Sequence, residues 1–161
     1  MFADDCFASL VSGYPSPPEN SEIELPVAAA QKNGGGGQIR VLVLEDDALQ
    51  LDLLLDHLRS VGLAAVGVKT VEAAREELMN AKFNLAIFDI QLPDGSGLDL
   101  CNKIADDSRF CSMPTIILSS MNQANMVRQT RAVGASFFIG KPYDPNVLLT
   151  VIERALGTDL Q

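Results

Sequence analysis

Four short stretches of the chain end in side chains suited to polar chemistry. Glu45 and Asp46 follow the apolar run Val41 to Leu44, Asp89 follows Leu85 to Phe88, Ser119 follows Ile116 to Leu118, and Lys141-Pro142 follows Phe137 to Gly140. Three carboxylates brought together repel one another and raise each other's pKa unless a cation offsets them. A hard divalent ion is the simplest remedy. Mg²⁺ takes oxygen ligands, keeps several waters and binds through one or two carboxylates plus a phosphate, which suits this set better than an all-protein Ca²⁺ cage. On the other side, the Lys141 ammonium can neutralise phosphoryl oxygens and the Ser119 hydroxyl can donate to one of them.

These residues converge only if the runs that carry them are neighbouring strands. From Ile39 onward, short β-branched runs alternate with segments of helical period, the pattern of a parallel sheet with helices on both faces. The predicted strands are 39–44, 64–68, 84–88, 114–118 and 136–140; the first, third and fourth are continuously apolar, as strands covered on both faces are. Between them, Asp47 caps a helix with Leu51, Leu54, Leu55 and Leu58 inward, and Thr70 caps one with Val71, Ala74 and Leu78 inward. Ser96 and Asp99 open a third, ahead of Leu98, Cys101 and Ile104. A fourth, 123–133, has only Ala124, Val127 and Val133 as a thin apolar stripe. Asp144-Pro145 opens the last, buried through Val147, Leu148, Val151, Ile152 and Leu156. The predicted fold class is therefore α/β: a five-stranded parallel sheet, doubly wound as (βα)5, flavodoxin-like, with ligands beyond the carboxyl ends of the strands.

Composition narrows the partners. The chain has 161 residues, 47% of them hydrophobic, and 21 acidic against 12 basic side chains give a formal charge of -9. The basic residues are scattered, which argues against a phosphate-backbone grip on nucleic acid. No stretch approaches a membrane span and no basic leader opens the chain, so neither insertion nor export is expected, and the cytoplasm is the expected compartment. Cys6, Cys101 and Cys111 show no ligand spacing and His57 is the only histidine, so a structural zinc site is not expected.

Residues 1–38 differ in kind. Pro15, Pro17, Pro18 and Pro26 lie among Ser, Asn and Glu, and Gly34 to Gly37 form a flexible run, so the segment is expected to be a disordered extension with a Gly-rich linker. The expected domain is then 39–157, with 158–161 a short C-terminal tail. The four glycines do not make a phosphate loop, since they precede the first strand and lack the Gly-Lys-Ser/Thr exit. Within the extension, Phe2, Cys6, Phe7, Leu10 and Val11 are spaced for one side of a short helix, a candidate docking peptide or a frayed end.

From Ile39 to Leu156 the chain resembles the receiver domain of two-component response regulators. The resemblance is carried by LVLEDD at Leu42 to Asp47, by Asp89 followed by Leu92-Pro93-Asp94-Gly95-Ser96-Gly97, by the IILSS strand end, by Gly134-Ala135-Ser136 and by Lys141-Pro142-Tyr143, in order and at family spacing. It implies that Asp89 is the phosphoacceptor. Glu45 and Asp46 would hold Mg²⁺, with the Asp89 carboxylate and the Gln91 backbone carbonyl completing the protein ligands; the alternative register places the acidic pair one residue later, although Asp47 has its own role as a helix cap. Lys141 would bind the phosphoryl group, with a cis peptide bond expected between it and Pro142, Ser119 would be the switch hydroxyl and Phe138 the switch aromatic. Ser120 and Met121 would tune hydrolysis or merely fill a loop. Phe137 competes with Phe138 for a core role, and His57 is expected at a solvated rim away from the acidic edge.

The resemblance also implies a histidine kinase or histidine phosphotransfer protein as donor and a downstream protein as effector. No output domain is expected after 157, and no enzyme activity beyond self-catalysed phosphoryl transfer and autodephosphorylation. Two rivals remain. A pseudo-receiver would bind partners without phosphorylation. A phosphatase of the haloacid-dehalogenase type also sets a nucleophilic aspartate beside Mg²⁺, but carries a DxD arrangement at its first strand, whereas here the aspartate ends the third and Gln91 stands two positions on.

Overall fold

The computed structural model describes residues 23–24, 37–120 and 123–160. Its elements, in order, are β1 (Ile23–Glu24), β2 (Arg40–Leu44), α1 (Ala48–Ser60), β3 (Ala64–Val68), α2 (Val71–Asn80), β4 (Leu85–Asp89), β5 (Gln91–Leu92), β6 (Gly95–Ser96), α3 (Gly97–Ala105), β7 (Thr115–Ser119), α4 (Gln123–Ala132), β8 (Phe137–Gly140) and α5 (Pro145–Leu156). The main sheet runs β1-β8-β7-β4-β2-β3. Its five long strands are parallel, in the registers Arg40↔Ala64, Val41↔Leu85, Ala86↔Thr115 and Ile116↔Phe137. This is the doubly wound sheet expected from the alternating pattern.

Continuous apolarity in the inner strands has its predicted cause: each is covered on both faces. Val41, Val43, Leu85, Ile87, Ile116 and Leu118 point into a core completed by α1 and α5, whereas Leu42, Leu44, Ala86, Phe88 and Ile117 point into one completed by α2, α3 and α4. The helices begin where their polar caps stand. The side chains of Asp47, Thr70, Ser96 and Asp144 accept from the backbone N–H of Gln50, Ala73, Leu98 and Asn146, satisfying donors that have no partner inside the helix.

Three expectations change. In the extension expected to be disordered, Ile23 and Glu24 pair antiparallel with Phe138 and Phe137, adding a sixth strand at the edge of the sheet. The inward face of α4 is led by Met126 and Thr130, both buried, with Val127 and Val133 only half-buried; a flexible thioether and a threonine methyl fill space here that the stripe of Ala and Val does not reach. The C-terminal segment is not wholly a tail, because Leu160 packs on the α1–α5 core and its N–H donates to the Glu153 carboxylate at 2.9 Å. The Phe2 to Val11 pattern, the Ala124 side chain and Met121 lie outside what is described.

Candidate functional site

The carboxyl ends of β2, β4, β7 and β8 meet at one edge of the sheet, and the strand-end residues meet with them. Oxygen atoms of Glu45, Asp46 and Asp89 all lie within 4.8 Å of one another. Glu45 is buried at 3% exposure and Asp89 at 9%, while Asp46 faces solvent. Lys141 reaches in from the end of β8, its ammonium donating to Glu45 Oε2 at 2.5 Å, to Asp89 Oδ2 at 2.9 Å and to Gln50 Oε1 at 3.1 Å. An ammonium has three donors, so all of them are engaged. The Lys141–Pro142 bond is cis, as the resemblance implies.

Glu45 is committed from both sides: Oε2 receives the lysine and Oε1 receives the Asp47 N–H at 3.2 Å. Asp47 spends its own carboxylate on capping α1, so the structure places Glu45 rather than Asp47 beside Asp46 in the acidic cluster. Burial pushes the Glu45 carboxyl above its ordinary range, against the lowering effect of Lys141 and the Asp47 N–H. For Lys141, burial pulls the ammonium down, but hydrogen bonds to Glu45 and Asp89 outweigh it and the net displacement is upward, so the lysine stays charged. Two buried acids are thus balanced by one half-buried cation, and the exposed acid, Asp46, remains beside them.

The loop after Asp89 is tied down at several points. The Gln91 N–H leans toward Asp89 Oδ1 at 3.4 Å, and β5 and β6 pair as a two-residue hairpin through Gln91↔Ser96 and Leu92↔Gly95. The Asp94 carboxylate accepts from the Val71 and Glu72 N–H groups at 2.9 and 3.1 Å, capping α2 from across the loop. Those hydrogen bonds, Val71's first, hold the Asp94 carboxyl below the usual carboxylate range. Gly97 packs its α-carbon against the β4 end so closely that a Cβ there would stand 2.0 Å from the Asp89 carbonyl oxygen.

A cavity of about 780 Å³ opens over the cluster, lined by Glu45, Asp46, Gln50, Asp89, Gln91 and Lys141 at its polar end and by Leu53, Leu54, His57, Tyr143 and Leu148 among others along α1 and α5. His57 is therefore not a solvated residue remote from the site. It is half-buried on the cavity wall, and its Nε2 finds no hydrogen-bond partner among the described residues. Ser120 also lines the cavity, whereas Ser119, 1% exposed, sits beneath it and accepts the Lys141 N–H on its carbonyl at 2.7 Å. No motif or spacing in the sequence points to Gln50; that the first turn of α1 carries its amide over the lysine is visible only in three dimensions. Phe138 is already fully buried, in the α2–α4 core with Phe88 and Met126, so an inward turn of this ring has no exposed starting point.

A lysine-bridged pair of buried acids beside an exposed third one stands at the carboxyl edge of a β3-β2-β4-β7-β8 parallel sheet, and over residues 41–153 the sequence matches the response regulator receiver domain model. The chain belongs to that family. It is 30% identical over 123 residues to the chemotaxis protein CheY1 of Helicobacter pylori, covering 75% of this chain and 99% of that one. It is 33% identical over 117 residues to the transcriptional regulatory protein GltR of Pseudomonas aeruginosa, covering 72% of this chain but only 48% of GltR. The chain thus spans about half the length of that curated relative. A CheY-like receiver domain structure from Methanospirillum hungatei superposes with a TM-score of 0.70 at 29% identity, covering 75% of this chain and 95% of that one. Among the described residues of this receiver, no helix is long and apolar enough to cross a membrane.

Proposed function

We propose that this receiver takes one phosphoryl group onto Asp89 from the phosphohistidine of a histidine kinase or histidine phosphotransfer protein, and passes the signal on through protein contacts in the cytoplasm. The observation that carries the reading is the Lys141 ammonium held between Glu45 and Asp89 with Asp46 beside them. Oxygen donors in this number suit Mg²⁺, held by Asp46 and Asp89, by Glu45, and by the Gln91 backbone carbonyl. When bound, the ion supplies positive charge against the transferring phosphoryl oxygens.

The chain's own residues do the rest. An Asp89 carboxylate oxygen attacks phosphorus in line, the bond from phosphorus to the imidazole nitrogen breaks, the imidazole leaves with its electron pair, and an acyl phosphate remains. Lys141 re-aims a donor from carboxylate to phosphoryl oxygen, where charge is greatest. Ser119 offers its hydroxyl to another of these oxygens. Autodephosphorylation is attack of water on the same phosphorus, so turnover stays coupled to this one residue and no separate enzymatic substrate is involved.

The test is labelling with acetyl phosphate and Mg²⁺, read by intact mass. One phosphoryl group per chain is expected in the parent and none in Asp89→Asn. Labelling of Asp89→Asn at the parent's rate overturns the assignment, and repeated turnover of a generic phosphoester without a labelled protein would favour a phosphatase.

A further inference from the structure

We propose that the outer edge of β8 is a strand-docking surface whose resident occupant is the chain's own segment at Ile23–Glu24, and that loading Asp89 loosens this occupant. The second half of the proposal rests on the receiver reading; the first does not.

Without β1, β8 would be an open sheet edge of four residues, Phe-Phe-Ile-Gly, with no charge or proline among them. Such an edge offers a row of unpaired backbone groups to any passing strand. The opposite edge, β3, ends beside Lys69 and contains Gly67, a poorer template. Ser136 donates its N–H inward to the Thr115 carbonyl, and backbone groups alternate in direction along a strand. The Phe137 amide therefore points outward, where Glu24 is its register partner. Extended segments bind sheet edges through such main-chain bonds.

The segment reaches this edge within its own chain. From β1 to β2 the sheet crosses four interstrand spacings, about 19 Å at roughly 4.8 Å each. Residues 25–36 can span about 40 Å at about 3.3 Å per residue. A tether of that length gives an effective concentration in the millimolar range, which a second copy at micromolar concentration cannot match. A partner that docks by adding a strand to β8 must displace the segment first.

The coupling follows from what β8 touches. Its far side is registered on β7 through Ile117↔Phe138 and Ser119↔Gly140, and it runs directly into Lys141, whose N–H is on the Ser119 carbonyl. Loading Asp89 re-aims Lys141 and draws on Ser119, so both attachments of the β8 end move together. Phe138 is already buried and has no outward position to leave, which makes the strand edge the part of β8 free to respond. A two-residue ladder is the weakest pairing in the sheet.

The experiment is residue-resolved amide exchange on the full chain, with Ile23→Pro/Glu24→Pro as the comparison, since proline removes the strand N–H groups without touching the domain. Phe137 should be protected in the parent, independently of protein concentration. It should lose at least tenfold in the double variant while Val43 and Ile117 are unchanged. With beryllofluoride and Mg²⁺, parent protection at Phe137 should fall severalfold. Equal protection in parent and variant overturns the docked segment. Protection that rises with protein concentration assigns the strand to a second copy and overturns the resident occupant. Protection insensitive to beryllofluoride overturns the coupling, provided the parent labels with acetyl phosphate. A parent that does not label refutes the receiver reading instead and leaves the docked segment standing on its own exchange data.

Discussion

Replacing Gly97 by alanine sets two effects of opposite sign against each other. Gly97 is the first residue of α3, and its φ is not among the positive ones, so the backbone does not require glycine. Propensity alone favours alanine by up to about 1 kcal/mol. Sterics oppose it. The new Cβ would stand 2.0 Å from the Asp89 carbonyl oxygen, 3.0 Å from its carbonyl carbon and 3.2 Å from the Phe88 Cβ. Two of the three are backbone atoms of a central strand, so nothing flexible can swing aside, and the strand end and α3 must part by about 1 Å or more. Overpacking of this kind costs about 1–3 kcal/mol, occasionally more. Sterics win, with a net destabilisation of about 2 kcal/mol and a fall in Tm of about 5–10 °C. Function should suffer more than stability, because a shift of about 1 Å in the attacking group can slow a positioned reaction about 100-fold. Thermal unfolding and the initial rate of acetyl phosphate labelling read the two effects separately. Gly37→Ala, where an added Cβ meets nothing within 4 Å, is the control and should match the parent in both. A Gly97→Ala protein as stable as the parent and labelled as fast would refute the reasoning.

Three further outcomes are expected. Lys141→Met leaves Glu45 buried with only the Asp47 N–H, and denaturant unfolding at pH 7 should show a loss of about 3 kcal/mol; because burial holds the folded Glu45 pKa above its unfolded value, its charge penalty is relieved as pH falls through the folded pKa, so the gap to the parent narrows in acid, whereas the parent's own lysine stabilisation is complete below pH 10.5 and is lost only as pH rises through the raised Lys141 pKa. Asp46→Asn should leave metal-free stability within about 0.5 kcal/mol of the parent or above it, since Asp46 is exposed and only adds repulsion, yet abolish both Mg²⁺-dependent labelling and the rise in Tm with Mg²⁺; a clearly destabilised apoprotein would make the carboxylate structural. In a Cys6→Ser background at pH 8, a thiol reagent should modify exposed Cys111 quickly and Cys101 only on unfolding, because burial pushes the Cys101 thiol up to about 12 against a lowering hydrogen bond with Thr115; equal rates for both would refute the burial argument.

Sequence alone determined the five parallel strands and four of the helix starts. Both are written in local code: unbroken apolar runs for strands covered twice, and side chains of Asp47, Thr70, Ser96 and Asp144 that satisfy orphan amides in their own first turn. The acidic pair, Asp89 and Lys141 were legible for the same reason, because in a parallel sheet every strand delivers its last residue to one edge. Tertiary structure decided what depends on approach between distant segments. Which acid of the EDD run joins the cluster was settled by Asp47 turning its carboxylate to α1. Gln50 over Lys141, Asp94 capping α2 and His57 on the cavity wall join residues with no spacing rule between them. Pairing of Ile23–Glu24 on β8 was illegible because two residues carry no periodicity; an edge strand is chosen by the template it meets, and the template here is completed more than 110 residues later in the chain.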